Sequence, residues 1–227
     1  MNCYFSRISL QAFDPHRPKE TMRILKSDDY ALHQALWELF PKEPAATRDF
    51  LYRQDDSQRW PMFYLLSGRA PRQDHEVLRV ETKPYHPRLE NGDVLSFSLR
   101  ANPVRTRKIG GDNPKQRKRD DVVMHLKRRL AEQAPEDVAS QAELAQEAGE
   151  QWLQRQARPH GFEVVSVRAD NYRQLRLRAR GKEIRLSTLD FTGLLRVADA
   201  EEFSKALIRG IGPAKAFGCG LMLVRRV

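Results

Sequence analysis

Apolar and polar residues alternate at 3–10 of this 227-residue chain, and this pattern predicts a first β-strand. A helix is predicted to follow, with Asp28 or Asp29 as its N-cap, and to end at Pro41. Further strands are predicted at 48–53, 62–66 and 76–83, with a turn or a degenerate second helix at 68–74. Asn91-Gly92-Asp93 then marks a domain boundary.

The second half repeats this order of elements, with insertions. Strands are predicted at 94–101, 162–168, 191–197 and 220–227, and an arginine-rich hairpin at 175–186. Helices are predicted at 121–133, 138–156 and 200–208, the last capped by Asp199, and a basic linker follows the strand at 94–101. The order β-α-β-β-α-β in each half predicts an α+β protein with two tandem ferredoxin-like (RRM-like) domains, at 1–90 and 94–227.

A glycine-rich loop is predicted between the last helix and the last strand. Its glycines are Gly210, Gly212, Gly218 and Gly220. Backbone N–H groups of such a loop can hold anionic oxygens, and Lys215 within the loop favours phosphate. The spacing matches neither the P-loop nor a dinucleotide fingerprint. We therefore expect the loop to support a nucleic-acid backbone or the packing of the domains.

The net positive charge of the chain arises entirely from its second half. The net charge is +10. Residues 1–93 carry 14 Lys or Arg and 14 Asp or Glu, whereas residues 94–227 carry 26 and 16. This asymmetry predicts one surface that meets a polyanion, although composition alone would also fit a soluble protein with a basic bias.

Several function classes are excluded by composition. A hydrophobic content of 40% predicts a packed core, and no apolar run is long enough to span a membrane. Two cysteines are too few for a disulfide framework or a zinc site, and no histidine pair has metal-ligand spacing. We expect a cytoplasmic protein without a metal, a cofactor or a membrane partner.

The basic residues of the second half are candidates for nucleic-acid contact. Arg176, Arg178 and Arg180 alternate, so they would lie on one side of a strand. The other candidates are Arg100, Arg105, Arg107, Lys108, Arg117 and Arg119. Any one of these positions could instead belong to a solvated face.

Four segments together resemble the CasE-type (Cse3-like) CRISPR RNA endoribonucleases. They begin at Asp29, Arg48, Leu99 and Gly210, occur in the family's order and span nearly the whole chain. The resemblance implies two tandem ferredoxin-like domains with a glycine-rich loop before the last strand. It also implies metal-independent cleavage of CRISPR repeat RNA at the base of a stem-loop. The product crRNA hairpin would stay bound, together with the other subunits of the Cascade complex.

The catalytic candidates lie on the first helix. Tyr30, His33 and Trp37 share one face of that helix, beside an apolar stripe at Leu32, Leu36 and Leu39. A lone histidine on a helix is rarely catalytic, and it is the resemblance that identifies His33 as the general acid–base residue. Tyr30 would orient the scissile nucleotide, whereas Trp37 is better explained as a core or subunit contact. The expected products carry a 2′,3′-cyclic phosphate and a 5′-hydroxyl, and no residue is assigned to stabilise the transition state.

Two alternatives remain at this stage. The first is a non-catalytic RNA-hairpin-binding subunit that uses the same surface, and removal of His33 would distinguish it from an enzyme. The second is a DNA-binding or ribosome-associated basic protein, which would show no preference for an RNA hairpin.

Overall fold

The computed structural model describes residues 3–10, 34–41, 49–56, 60–108, 117–133, 139–179 and 182–227. Within them, the chain forms two four-stranded antiparallel sheets and a separate two-stranded sheet. The strands are β1 Tyr4–Leu10, β2 Phe50–Asp55, β3 Met62–Ser67, β4 Leu78–Pro84, β5 Val94–Ala101, β6 Val104–Lys108, β7 Arg117–Asp121, β8 Phe162–Ala179, β9 Lys182–Val197 and β10 Met222–Arg226. The long helices are α1 Val122–Gln133, α2 Gln141–Ala157 and α3 Ala200–Arg209.

The first sheet has the strand order β2-β3-β1-β4, and its neighbouring strands are antiparallel. Its four strands begin and end within two residues of the predicted bounds. Residues 34–37 are helical, whereas 68–77 connect β3 to β4 through turns and bends rather than a helix. Leu36 and Leu39 are completely buried in one core cluster with Ile8 and Phe63 of the sheet.

The second sheet has the strand order β10-β5-β9-β8, and its core is larger. Trp152 of α2 stacks on Phe191 of β9 with ring centroids 5.6 Å apart. Helix α2 begins with a capping box between Ser140 and Glu143, and α3 is capped by Asp199, as predicted. None of the described helices has both the length and the apolar character needed to cross a bilayer.

Two predictions for the second half need correction. Strands β8 and β9 continue through 169–174 and 187–190, where the sequence predicts interruptions. In β8, a bulge at Asp170/Arg173 accommodates Asn171 at a φ of 54°. The predicted basic linker is instead a β-hairpin, in which β6 pairs with β7. Only Val104 of its ten strand residues is apolar, so the sequence shows no alternation of apolar and polar positions there.

Candidate nucleic-acid interface

The predicted catalytic residues, Tyr30 and His33, lie outside the described residues. The helical residues that follow them are anchored as expected, because Leu36 and Leu39 are fully buried. Trp37 packs edge-on against Phe50, with ring centroids 5.2 Å apart. This contact supports the interpretation of Trp37 as a core residue rather than a base-stacking one.

The two sheets meet at an apolar surface, which we call the domain junction. Cys3, Leu51 and Leu66 of the first half form one buried cluster with Leu221 of the second half. A cluster drawn from both halves holds them in a defined orientation, because neither side could expose these residues to water at low cost.

The glycine-rich loop is part of this junction. At Gly210, φ is 78° and ψ is 152°, a conformation that essentially only glycine adopts. A Cβ atom at Gly210 would lie 2.8 Å from Leu51 Cδ1 of the edge strand β2. The Tyr52 hydroxyl also donates a hydrogen bond to the backbone oxygen of Ala216, at 3.1 Å. Glycine at position 210 therefore allows the first sheet to approach the loop closely.

Four backbone N–H groups of the loop are hydrogen-bonded within the protein. The N–H groups of Gly210, Ile211, Phe217 and Gly220 donate to the carbonyl oxygens of Ala206, Gly220, Ala214 and Arg100. Lys215 Nζ donates to the carbonyl of Arg209 at 2.5 Å, close to the C-terminus of α3. Of the two roles expected for the loop, this geometry favours domain packing over an anion-binding nest.

Arg100 lies on β5 and bridges the two halves. Its guanidinium bonds Asp190 at 2.7 Å and Asp56 at 2.6 Å, and its side chain is only 16% exposed. The hydrogen bond to Asp190 raises the pKa of Arg100 further above its ordinary value. Nearby, burial lowers the pKa of Arg53, which donates to Ser98 Oγ at 2.6 Å. Arg100 was predicted to bind RNA, but its two carboxylate partners suit a structural role at the junction.

The other candidate ligands lie on two protruding hairpins. Arg105, Arg107 and Arg119 of the hairpin β6–β7 are exposed, and Arg107 Nε is 3.1 Å from an Asp120 oxygen. Lys108 and Arg117 lie on the same two strands, but their side chains are outside the described residues.

On the hairpin β8–β9, the predicted arginine row is only partly described. Arg176 is exposed and lies opposite Arg185, which pairs with Glu183 at 2.9 Å. Arg178 lies on β8, but its side chain, like the whole of Arg180, is outside the described residues.

A cavity of about 580 Å³ lies between the two hairpins and the glycine-rich loop, and we call it the interhairpin cavity. Its arginines are Arg119, Arg176 and Arg185, and its apolar lining residues are Val104, Leu175, Ile184, Leu186, Ala214 and Phe217. Guanidinium groups beside an apolar surface suit a nucleotide, since they offer contacts to both a phosphate and a base.

One buried polar group of this cavity has no hydrogen-bond partner among the described residues. The hydroxyl of Ser187 is buried and makes no hydrogen bond with the described residues, although the Ser187 carbonyl accepts one from Asn102 Nδ2 at 2.6 Å. Asp121 also lines the cavity, where it accepts a hydrogen bond from the Tyr172 hydroxyl at 2.6 Å. Burial and this bond raise the pKa of Tyr172.

Sequence reasoning identified Arg119 and Arg176 of this cavity as candidates, but neither Arg185 nor the apolar lining. Leu175, Ile184 and Leu186 alternate with the arginines along β8 and β9, so the period of two contained the necessary signal. Phe217 carried no such signal, because it lies in an irregular loop that only the tertiary fold brings to the hairpins.

Comparison with known proteins identifies a consistent set of relatives. The family model described as CRISPR associated protein matches residues 3–226. The chain is 33% identical to the CRISPR system Cascade subunit CasE of Escherichia coli over 203 residues, which are 88% of this chain and 93% of the relative. It is 31% identical to the CRISPR-associated endoribonuclease Cse3 of Thermus thermophilus over 146 residues, which are 63% of this chain and 60% of the relative.

Solved structures give the same result for the fold. The crystal structure of the CRISPR-associated protein Cas6e from Escherichia coli is similar with a TM-score of 0.66 at 27% identity, and covers 99% of this chain and 100% of its own. Thermus thermophilus Cse3 bound to an RNA representing a pre-cleavage complex has a TM-score of 0.72 at 24% identity, with the same coverage. At that identity the second likeness concerns the fold alone.

Proposed function

Because this chain belongs to the CasE (Cse3) family of CRISPR-associated proteins, we propose that it is a metal-independent endoribonuclease that cuts CRISPR repeat RNA at the base of a stem-loop. The observation that carries this proposal is the 33% identity to the Cascade subunit CasE over 88% of the chain. The mature crRNA hairpin stays bound after the cut, and the protein remains a subunit of a cytoplasmic Cascade complex.

Beyond the two four-stranded sheets, we propose the domain type and the bounds of each half. Each half, 1–90 and 94–227, is a ferredoxin-like domain. In support, the first strand of each sheet pairs with the third and the fourth strands, and the second pairs with the third. In the second half, α2 precedes β8 and α3 precedes β10, as the β-α-β-β-α-β order requires.

The reaction uses a nucleophile that RNA itself carries. His33 removes the proton of the 2′-hydroxyl, and the 2′-oxygen attacks the adjacent phosphorus. The bond from phosphorus to the 5′-oxygen breaks, and that oxygen takes up a proton. The products carry a 2′,3′-cyclic phosphate and a 5′-hydroxyl, while Tyr30 orients the scissile nucleotide.

The RNA stem is held chiefly through its backbone. An A-form stem presents a deep, narrow major groove and rows of phosphates, so that shape and charge dominate its recognition. The exposed guanidinium groups of Arg105, Arg107, Arg119 and Arg176 make these contacts, together with Lys108, Arg117, Arg178 and Arg180. Arg100, Lys215 and the glycine-rich loop act indirectly, by fixing the domain junction.

The test is cleavage of the cognate repeat hairpin in EDTA by the native protein and by the variants His33→Ala and His86→Ala. His86 is an exposed histidine outside the proposed site and serves as the matched control. We expect one cut with a cyclic phosphate end from the native and His86→Ala proteins, and binding without cleavage from His33→Ala. If the native protein binds the hairpin and never cuts it, the chain is a hairpin-holding subunit. If EDTA abolishes the cut, metal independence is wrong.

A further inference from the structure

A second cavity lies on the other side of the hairpin β6–β7, between that hairpin and helices α1 and α2. It has a volume of about 390 Å³, and we call it the helical cleft. It is lined by Arg105, Val122, His125, Leu126, Arg129, Ala148, Gln151 and Arg155. None of these described lining residues is acidic.

Three separate elements each contribute a guanidinium group to the helical cleft. Arg105 comes from β6, Arg129 from α1 and Arg155 from α2, and all three residues are exposed. Among the described residues, no carboxylate lies within ion-pair distance of any of them. By contrast, Arg107 on the same face of β6 pairs with Asp120 at 3.1 Å. Three like charges around one cleft repel one another, so an anion between them would be stabilising.

The pKa of His125 is lowered in the helical cleft. Arg105 Nη1 donates a hydrogen bond to His125 Nε2 at 2.6 Å, so that the imidazole accepts at this nitrogen. Burial lowers the pKa of His125, and Arg105, Arg128 and Arg129 lower it further. Asp120 acts in the opposite direction but contributes least. The neutral ring therefore adds polarity to the cleft without a further charge.

The remaining lining favours a phosphate over a protein partner. Val122, Leu126 and Ala148 are almost completely buried, so they offer no apolar surface to a docking protein. What the cleft presents is guanidinium, imidazole and the exposed Gln151 amide, and guanidinium forks bind phosphate oxygens in pairs. Arg105 and Arg107 share a face of β6, so the cleft continues the basic surface of the hairpin.

We propose that the helical cleft binds a phosphate group of the RNA backbone through Arg105, Arg129 and Arg155, at a position separate from the interhairpin cavity. The proposal rests on the proposed function, since it assigns a further contact for the same RNA. Val104 and Arg119 face the interhairpin cavity, whereas Arg105 faces the helical cleft. The hairpin β6–β7 thus contacts RNA on both of its faces.

The first test measures binding of the repeat hairpin as a function of salt, in the non-cleaving His33→Ala background. Arg129→Gln with Arg155→Gln removes two charges from the cleft. Arg7→Gln with Arg79→Gln removes two exposed charges from the first sheet and is the matched control. We expect the cleft variant to bind about ten-fold more weakly and the slope of log K against log salt to fall by roughly one unit, since one phosphate contact is lost. The control should keep the native affinity and slope.

The second test asks which phosphate the cleft accepts. Inorganic phosphate, added at constant ionic strength, should raise the pKa of His125 as followed by NMR of the ring protons. The double cleft variant should lose this response. If phosphate shifts His125 but the cleft variant binds RNA like the control, the site takes free phosphate and our assignment to RNA is wrong.

These outcomes separate the inference from the proposed function. If the native protein binds and cuts the hairpin, and the cleft variant matches the control in affinity and slope, only the helical-cleft inference fails. If the native protein neither binds nor cuts the hairpin, the proposed function fails and the inference fails with it.

Discussion

A methyl group added at Gly210 tests how closely the two halves of the protein pack. Gly210 follows α3, at a φ of 78° and a ψ of 152°. A Cβ atom there would lie 2.8 Å and 2.9 Å from the two terminal carbons of Leu51, and 3.1 Å from the carbonyl oxygen of Gly220. Both the backbone and the packing therefore oppose the substitution Gly210→Ala.

The expected cost follows from these two contributions. Holding a non-glycine residue in this backbone region costs about 1–3 kcal/mol. Forcing an extra methyl group into a packed site costs about 1–3 kcal/mol more. Alanine also lowers the conformational entropy of the unfolded chain, which favours the folded state by about 0.4–1 kcal/mol. We expect Gly210→Ala to lower the free energy of unfolding by about 1–5.5 kcal/mol, against the roughly 5–15 kcal/mol typical of a domain.

The assay is urea unfolding followed by tryptophan fluorescence. Trp37 reports on the core of the first half, and Trp152 on the core of the second. The matched control is Gly92→Ala, because Gly92 also has a positive φ, of 93°, but beyond its chain neighbours no atom of the described residues lies within 4 Å of its Cβ position. In the control we expect backbone strain alone to lower the free energy of unfolding by about 1–2 kcal/mol. The lower entropy of the unfolded chain offsets part of this loss.

A double-mutant cycle separates packing from strain. Leu51→Ala removes the side chain that the new methyl group would meet, so in that background Gly210→Ala should cost about 1–3 kcal/mol less. If Gly210→Ala costs no more than Gly92→Ala, the close packing of the junction is refuted. If Leu51→Ala gives no relief, the contact with Leu51 is not the source of the penalty.

Three further predictions concern charge, capping and pH. Arg100→Met should lower the free energy of unfolding by about 3 kcal/mol, because Asp190, whose side chain is 11% exposed, loses its guanidinium partner. In the same urea titration, substitution of the exposed Arg7 by Met should cost less than about 1 kcal/mol. Equal losses from the two substitutions would contradict a structural role for Arg100. Ser140→Ala should cost about 1 kcal/mol, since α2 loses its capping box, and Ser140→Asp should retain most of that stability in thermal unfolding. Burial raises the pKa of Tyr85 to about 12, so the folded state holds this proton while the unfolded state releases it near pH 10. The stability that the protonated phenol contributes is therefore fully present below pH 10 and declines as the pH rises to about 12. Tyr85→Phe should lose less stability over that pH range than the native protein.

Much of the fold could be predicted because the relevant signals are local. The alternation at Val94–Ala101 predicted that strand at its observed bounds, and Asp199 caps α3 as its position required. Leu36 and Leu39 are buried as their helical spacing indicated. Hydrophobic periodicity and helix capping depend only on neighbours within a few residues, so both can be recognised in the sequence alone. The role of His33 depended on family resemblance instead, and it stays a prediction.

What the sequence could not determine depends on partners far apart along the chain. The charge of Arg100 was evident, but its partners Asp56 and Asp190 lie 44 and 90 residues away along the chain, and only the fold brings them together. The hairpin β6–β7 resembled a linker, because most residues of its two strands are charged and their pairing became visible only in the fold.

The sequence by itself thus determined the identity and order of most elements, the basic character of the second half and the family. Only the tertiary structure decided which arginines are neutralised, such as Arg100, and which remain available, such as Arg105, Arg129 and Arg155. The physical reason is that a charge is defined by the residue, whereas its neutralisation depends on which groups the fold brings within a few ångströms.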